Sequence, residues 1–478
     1  MNSLSSKHAA HAKAFVLVAM CLAVLMAQVD TSVVNLAVKS IGMNFHSGTA
    51  MLQWVIDVYN LLYASLLLTA GALGDLYGRR RMFILGVGVF TVGSLACGVA
   101  PNEFLLVAGR GLTGIGAAFM LPNSLSILAV TYPNKKERSH AIALWASCNG
   151  LAFAIGPTLG GWIVETISWR AIFLMIVPVS VLALVLAVMF LGESANPEGR
   201  RLDLRGQFLA IAALAGLTFA AIEGPHLGLT SLPVLAAATL GAAATLGFLL
   251  IERRLSNGLT PFELFRRPGL PASMTVAALM TFGMYAMFFL MALYFQNLRG
   301  ASVFLTGIEL LPMSLIFFVV SQRVGKLSIR FGRRVVMSAG MALMGAGLLV
   351  LTQISPQTNI YAIEAALVII GAGLGLNTGP VVDAAVASVP SSRSGTASGL
   401  VNTARMVGAT LGVAILGAIY AAHAEGGGDA GMILGMRWAF VVGGVGELLG
   451  AAVAWFFIVP QGATRSKVSW FSATERVR

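Results

Sequence analysis

The chain has 478 residues, of which 57% are hydrophobic and 10% are charged, and its mean hydropathy is +0.85. This composition excludes a water-soluble domain whose apolar segments are core helices, and it indicates a polytopic membrane protein. The net charge of +12 would suit a nucleic-acid partner, but the positions of the basic residues explain the charge differently.

Apolar runs of about 20 residues recur along the chain, the length that a helix needs to cross a hydrocarbon core of about 30 Å. The first run follows Met1–Lys13 and contains Asp30 and Asn35 without a small-residue cleavage site. We therefore interpret it as a retained span and not as a signal peptide. We predict fourteen spanning helices, at residues 15–38, 52–73, 82–100, 104–127, 140–163, 170–192, 206–222, 232–251, 271–295, 304–322, 335–353, 359–380, 396–420 and 438–458.

The basic residues predict the topology. With a cytoplasmic N-terminus, 25 of the 31 Lys and Arg residues fall in cytoplasmic segments and four fall outside, while Arg110 and Arg405 fall within spans. Short cytoplasmic loops carry such an excess of positive charge. We therefore expect a multi-pass membrane protein with both termini in the cytoplasm. The bacterial inner membrane is its predicted location. Nucleic-acid binding is not needed to explain the charge.

The loop after the second span, Gly71-x-Leu73-x-Asp75-x-x-Gly78-Arg79-Arg80, recurs in part after the tenth span, with Ile329 in place of the acid. The repeat and the uncharged seventh and eighth spans predict four regions. These are a six-helix N-terminal half (1–192), an inserted helix pair with linkers (193–270), a six-helix C-terminal half (271–458) and a cytoplasmic tail (459–478). Two related six-span halves are a transporter design that holds its substrate near the membrane midplane.

The same loop is a candidate conformational latch, formed by Gly71, Asp75, Gly78, Arg79 and Arg80. Its glycines permit a tight bend, and Asp75 can accept hydrogen bonds from an arginine or a helix N-terminus. Such a cluster can hold two helices together in one state and release them in another. The alternative is a basic cytoplasmic turn that happens to contain an acid.

Three charges inside the early spans, Asp30, Asp57 and Arg110, are candidate functional residues. A carboxylate near the bilayer core costs roughly 2.5 kcal/mol or more, so such residues usually mark an ion or substrate pathway. At 1.5 Å per residue, all three lie at one depth, roughly 8–9 Å below the outer edge. We expect Arg110 to pair with Asp30 and make its proton exchangeable. The alternative is a static pair that holds helices together.

Aromatic residues accompany the second acid. Trp54 and Tyr59 flank Asp57, and this combination suits lipophilic cations through cation–π contact and charge neutralisation. Tyr285 lies in a ninth span rich in methionine, whose adaptable side chains suit a promiscuous pocket. The alternatives are an interfacial aromatic belt for Trp54 and Tyr59 and lipid-facing packing for the ninth span.

The fifth span carries a run of small residues with one proline, Gly150-x5-Gly156-Pro157-x-x-Gly160-Gly161. Small residues allow two helix backbones to approach closely, and Pro157 removes a helical hydrogen bond. The run therefore predicts a pliable place at which one helix rocks on another. Ordinary small-residue packing is the alternative.

These motifs as a set resemble the major facilitator superfamily, and Asp30-Thr31-x-x-Val34-Asn35-x-Ala37 is similar to the pattern of its fourteen-span drug:proton antiporter branch. The resemblance continues to Arg405 and Gly408 and covers nearly the whole chain. It implies alternating access, export as the direction indicated by the fifth-span antiporter motif, and Asn35 as a further substrate-binding candidate. Thr113 and Val38 depart from the family pattern, and the penultimate span lacks the acids that some exporters of dicationic compounds have there.

We therefore predict an all-α membrane protein of the major facilitator fold and not an enzyme. The preferred function is proton-driven export of amphipathic, cationic or neutral small molecules by a monomer that uses the proton gradient and no cofactor or metal. A narrow exporter of one endogenous metabolite and a non-transporting sensor or scaffold are the alternatives. The roles of Glu309, Glu364 and Glu447 stay open, and Arg405 is a candidate counter-ion.

Overall fold

The computed structural model describes residues 2–195, 203–253, 262–265, 268–390, 393–424 and 427–458, and these ranges are almost entirely helical. The first seven helices are α1 (Asn2–Phe45), α2 (Thr49–Tyr77), α3 (Arg79–Gly98), α4 (Glu103–Thr131), α5 (Lys135–Thr166), α6 (Ala171–Leu174) and α7 (Ile176–Phe190). The next are α8 (Leu204–Leu227), α9 (Leu232–Glu252), α10 (Phe262–Phe265) and α11 (Gly269–Leu293), which continues into a π-helical turn (Tyr294–Leu298). The last are α12 (Val303–Glu309), α13 (Leu311–Phe331), α14 (Arg333–Leu351), α15 (Ile360–Ala387), α16 (Ser394–Ala424) and α17 (Gly428–Phe457). The predicted tail, 459–478, and parts of the predicted linkers lie outside the described residues.

The spans agree with the sequence prediction. Within the described ranges, 13 helices are long and apolar enough to cross a membrane, and the bent pair His140–Phe153 and Ile155–Thr166 brings the number to 14. This pair is the predicted fifth span, and its two parts meet at 43°. The bend follows from Pro157, because its missing N–H leaves the carbonyl of Phe153 without a helical hydrogen bond. The predicted all-helical membrane fold is confirmed.

The helices pack into two sets and a peripheral pair. The first set contains α1 to α7. In it, α3 and α2 pack against α4, while α1 packs against α5 and α7. The last set contains α11 to α17. In it, α11 packs against α16, and α14 packs against α15 and α17. The pair α8 and α9 pack mainly against each other. The two sets meet where α2 contacts α16, α5 contacts α12 and α1 contacts α11.

Polar contacts join the two sets on the side opposite the start of α1, which we call the opposite side. The side chain of Lys39 donates to the carbonyl of Gln296 in the π-helical turn at 2.5 Å, and the Gln296 amide donates to the carbonyl of Leu36 at 3.0 Å. Further contacts link Glu165 to the backbone N–H of Phe304 at 2.9 Å and Gln53 to the carbonyl of Val413 at 3.4 Å. These contacts hold α1, α2 and α5 against the last set.

Helix α8 touches both sets, because it packs against α2 and α16 as well as α9. Near its start, Gln207 donates to the carbonyl of Ser65 at 2.8 Å and also hydrogen-bonds Thr69. Helix α9 lies outside it and exposes Leu232 and Leu240, which are 81% and 69% exposed. In a membrane such leucines can face lipid at little cost, since lipid tails are as apolar as leucine. The inserted pair is therefore attached to the bundle through α8.

A glycine sets the distance between α2 and α4. A Cβ atom at Gly114 would lie 2.5 Å from the carbonyl oxygen of Tyr59, which is backbone and cannot rotate away. We expect Gly114→Ala to destabilise the protein by about 1–3 kcal/mol through overpacking. The measurement is the thermal unfolding midpoint of the purified protein. The control is Gly88→Ala in α3, where a Cβ meets nothing within 4 Å. An unchanged midpoint for Gly114→Ala beside a normal control would contradict the close approach.

Candidate functional site

The Asp30 carboxylate and the Arg110 guanidinium form an ion pair between α1 and α4. Nη1 of Arg110 lies 2.6 Å from Oδ2 of Asp30, and the two side chains are 2% and 0% exposed. The equal depth predicted for the two residues therefore corresponds to direct contact. The geometry is a short, charge-assisted hydrogen bond shielded from solvent.

Arg110 is held by further contacts around its guanidinium. Nε donates to the carbonyl of Val55 at 3.0 Å, and Nη1 donates to the hydroxyl of Thr113 at 3.2 Å. The ring of Tyr59 lies 4.6 Å from the guanidinium carbon, within cation–π distance. Thr113, which departs from the family pattern, thus still provides an acceptor for the arginine. The contacts from α2 and α4 orient Arg110 independently of Asp30.

The polar side chains of α1 near Asp30 bond mostly within their own helix. The hydroxyl of Thr31 donates to the carbonyl of Ala27 at 2.8 Å, and the amide of Asn35 donates to the carbonyl of Thr31 at 3.0 Å. In the described part of the chain, Oδ1 of Asp30 and Oδ1 of Asn35 are buried and have no hydrogen-bond partner. The second oxygen of Asp30 is therefore the atom of the pair that is free to accept a proton.

Asp57 is a second buried acid beside this cluster. It is 0% exposed and lies on α2 between Val55 and Tyr59, which both contact Arg110. Within the described ranges, neither carboxylate oxygen of Asp57 has a hydrogen-bond partner, and no basic residue forms an ion pair with it. A buried carboxylate without a cation is costly, so the position favours a functional role over a structural one.

The aromatic residues predicted as substrate contacts, Trp54 and Tyr59 beside Asp57 and Tyr285 in the ninth span, have different partners. Tyr59 stacks on Arg110. The indole N–H of Trp54 donates to Glu223 of α8 at 2.9 Å. Tyr285 of α11 is buried in the last set. Among the described residues, no ring contact joins these three side chains to one another. Glu223 was missed in the sequence, although an acid at the end of an uncharged span was a visible signal.

The antiporter motif of α5 lies between α1 and the last set. Gly156 packs against Ser32, and Gly160 packs against Val33, two and three residues beyond Asp30. On the other face, a Cβ at Gly161 would lie 2.7 Å from the carbonyl oxygen of Val303 in α12.

The proline and the first glycine of the motif also face the last set. The carbonyl of Pro157 approaches Gly307 of α12, and Gly150 packs against the ring of Phe318 of α13. The motif thus connects the helix that carries Asp30 with the contact between the two sets.

The loop predicted as a latch is fixed within and beside its own helices. Asp75 accepts from Nη2 and Nε of Arg79 at 2.8 and 3.0 Å, and Gly78 adopts φ +111°. The backbone N–H of Arg80 donates to Glu193, beyond α7, at 3.1 Å. The last member, Gly71, faces Pro122 of α4.

The turn after α13 repeats this arrangement with a different acid. Gly332 also has a positive φ, +83°, and Arg333 pairs with Asp383 of α15 at 3.1 Å. Ile329, which stands in place of the acid, is 82% exposed. The sequence repeat therefore did not reveal Asp383, because this acid comes from another helix.

The spanning helices, the two related turns and the charges buried between α1, α2 and α4 are typical of a membrane transporter. The chain belongs to the Major Facilitator Superfamily, whose family model matches residues 20–413. The predicted family is thereby confirmed, and with it the prediction of a transporter and not an enzyme.

The relatives of the chain include drug efflux proteins. It is 37% identical to the multidrug resistance protein Stp of Mycobacterium tuberculosis over 406 residues, which cover 85% of this chain and 75% of the relative. It is 33% identical to the methylenomycin A resistance protein of Streptomyces coelicolor over 434 residues, 91% of this chain and 90% of the relative. It is 31% identical to the multidrug efflux pump LfrA of Mycolicibacterium smegmatis over 409 residues, 85% and 80% of the two chains. These relatives agree with the predicted fourteen-span drug:proton antiporter branch.

The ion pair predicts a specific pattern of stability. Arg110→Gln leaves the Asp30 carboxylate buried without its cation, and we expect a loss of about 3–5 kcal/mol. The double variant Asp30→Asn with Arg110→Gln removes both charges, so we expect it to recover part of that loss. Thermal unfolding of the single and double variants measures the coupling. Strictly additive losses would show that the two groups do not interact.

Proposed function

We propose that the protein is a proton-coupled antiporter that exports amphipathic small molecules by alternating access. The observation that carries this proposal is the fully buried pair of Asp30 and Arg110, in which Oδ1 of Asp30 is free. A charge pair in the membrane interior marks an ion pathway more often than it stabilises a fold. The family membership and the efflux relatives support transport as the activity.

The geometry supports a coupling step at Asp30. A proton that binds to Oδ1 makes the carboxyl group neutral and removes the attraction that joins α1 to α4. Arg110 keeps its contacts with Val55, Thr113 and Tyr59 in either case. The guanidinium therefore stays with α2 and α4, while α1 becomes free to shift. Because proton binding changes the preferred position of α1, proton flow and helix movement are linked.

Movement of α1 would reach the contact between the two sets. Ser32 and Val33 of α1 pack against the antiporter motif of α5, whose other face meets α12. Lys39, farther along α1, bonds the π-helical turn of the last set. We propose that residues 1–192 and 271–458 are the two rocking halves, that both termini are cytoplasmic, and that the opposite-side contacts form the outer closure.

The substrate class is proposed from the second acid. Asp57 is buried without a basic partner in the described part of the chain, so a cation that reaches it would neutralise the charge. Trp54, Tyr59 and Tyr285 remain proposed contacts for the apolar body of the substrate, and Asn35 remains a proposed substrate contact. The multidrug names of two relatives support a broad range of substrates.

A narrow specificity is the second candidate, because another relative is named for resistance to one antibiotic, methylenomycin A. Growth of an efflux-deficient bacterial host that expresses this chain separates the two candidates. Protection against several unrelated dyes, quaternary ammonium compounds and antibiotics supports broad export. Protection against one compound class, or none, supports a dedicated exporter.

The proton-coupling role is tested with Asp30→Asn. We expect this variant, reconstituted in proteoliposomes, to lose at least about 90% of the ethidium transport driven by a pH gradient, because an amide cannot exchange the proton. Ethidium binding should persist, since Asp57 is unchanged. The matched control is Asp429→Asn at the exposed start of α17, which should transport normally. Undiminished gradient-driven transport by well-folded Asp30→Asn protein would refute the coupling role.

The antiporter motif provides a test of the rocking contact. A Cβ at Gly161 meets the backbone of Val303, so we expect Gly161→Ala to slow transport several-fold while ethidium affinity stays within about twofold. The control is Gly325→Ala in α13, where a Cβ meets nothing within 4 Å. Both rates are measured in the same proteoliposome assay. Equal transport by the two variants would contradict a mechanical role for this contact.

A further inference from the structure

A second arginine, Arg405, lies inside the bundle. Arg405 is on α16, eleven residues beyond its start at Ser394, or about 16 Å along the helix, which places it near the middle of the span. Its side chain is partly exposed within the bundle. Among the described residues, no carboxylate lies within ion-pair distance of it, in contrast to Arg110 with its partner Asp30.

The guanidinium is only partly used by the protein. Nη2 donates to the backbone carbonyl of Thr378 in α15 at 2.6 Å, and this contact fixes the direction of the side chain. Nε is buried and has no hydrogen-bond partner within the described ranges. An arginine presents its N–H groups as a planar fork that matches the two oxygens of a carboxylate. Arg405 therefore keeps donor capacity after it is held in place.

Two tyrosines complete the surroundings of Arg405. On α11, the hydroxyl of Thr281, one turn before Tyr285, donates to the backbone carbonyl of Arg405 at 2.6 Å. On α16, Met406, which follows Arg405, packs against the apolar cluster that contains Tyr63 of α2. Both rings are largely buried, at 9% and 7% exposure. Neither tyrosine hydroxyl forms a hydrogen bond with another described residue, so both hydroxyls can donate to a ligand. The three side chains come from α2, α11 and α16, so the group spans both sets of helices.

We propose that Arg405, Tyr63 and Tyr285 bind an anionic group of the exported molecule, and that amphipathic carboxylates are among the substrates. A carboxylate here would supply the counter-charge that the described residues do not, and its oxygens would accept from the guanidinium and the two hydroxyls. The sequence predicted cationic or neutral substrates, so this inference adds a class. The binding site does not depend on the proposed export function. Only the statement that the bound molecule is transported rests on that function.

The site is also placed to communicate with the ion pair. The rings of Tyr63 and Tyr59 are 6.0 Å apart on successive turns of α2, and Tyr59 stacks on Arg110. A ligand held by Tyr63 would therefore act on the helix that orients Arg110. This gives the anionic group a physical route to the proton site.

The test uses matched dyes that differ in one charge. Rhodamine B has a free carboxylate, and its ethyl ester keeps the same ring system without the negative charge. Binding is measured by fluorescence anisotropy with the purified full-length protein in nanodiscs, with empty nanodiscs subtracted. We expect Arg405→Gln to weaken rhodamine B binding about tenfold or more and ester binding by less than about twofold. Arg405→Lys should keep part of the preference, because it keeps the charge.

Further variants separate recognition from folding. Tyr63→Phe and Tyr285→Phe remove one hydroxyl each and should weaken carboxylate binding a few-fold with no effect on the ester. If Arg405→Gln does not purify as a single species, the binding of both dyes to these two variants tests the anion site. The control is Arg437→Gln on α17, an exposed arginine that also donates to a backbone carbonyl, and it should bind both dyes as the wild type does.

The outcomes separate this site from the export function. Equal losses for both dyes, or a wild-type protein with no preference for the carboxylate, would overturn the anion site and show that Arg405 only ties α16 to α15. The expected binding pattern, without gradient-driven transport of either dye in proteoliposomes, would keep the anion site and refute export. Transport of the ester alone would keep export and overturn the anion site.

Discussion

The burial of Arg110 is the constraint on which the rest of this structure depends. An arginine removed from water must recover several kcal/mol of lost solvation through its contacts. Here one guanidinium uses a carboxylate from α1, a carbonyl from α2, a hydroxyl from α4 and the face of Tyr59. These groups converge only if three helices cross closely, and Gly114 provides the space for that crossing. The charge therefore dictates the packing of the first set, and packing in turn excludes water from the charge.

Among these contacts, the one to α1 differs in kind. The contacts from α2 and α4 are neutral groups that do not titrate near physiological pH, whereas Asp30 can change its charge. The same helix packs against the α5 motif through Ser32 and Val33 and bonds the last set through Lys39. A local change in charge is thus joined to the boundary between the sets by contacts between neighbouring residues. Such a route becomes a coupling mechanism when the boundary has two stable arrangements, as alternating access requires.

The sequence predicted those features that depend on position along the membrane normal. Hydropathy located the spans, and residue counting placed Asp30 and Arg110 at one depth, where the structure brings them into contact. It could not predict which way each helix faces, because rotation is decided by packing against neighbours and not by hydropathy. Trp54 and Asp57 are neighbours in the sequence, yet Trp54 bonds Glu223 of the inserted pair. Likewise, Arg333 finds its acid in Asp383 of another helix, which no local repeat could indicate.

Arg110 of the first set and Arg405 of the last set differ in their partners, and this difference affects which ligand groups each set can bind. In the first set, the cation of Arg110 is balanced by Asp30, which leaves Asp57 as an acid without an ion-pair partner among the described residues. In the last set, Arg405 has a backbone carbonyl as its acceptor and no acid in the described part of the chain. An unbalanced charge in a low-dielectric interior attracts a ligand group of opposite sign more strongly than the same charge in water. Because the charges of Asp57 and Arg405 have opposite signs, one bundle can favour a cationic group at one position and an anionic group at another. Substrate breadth would then come from two separate electrostatic sites, and a single adaptable pocket would not be required.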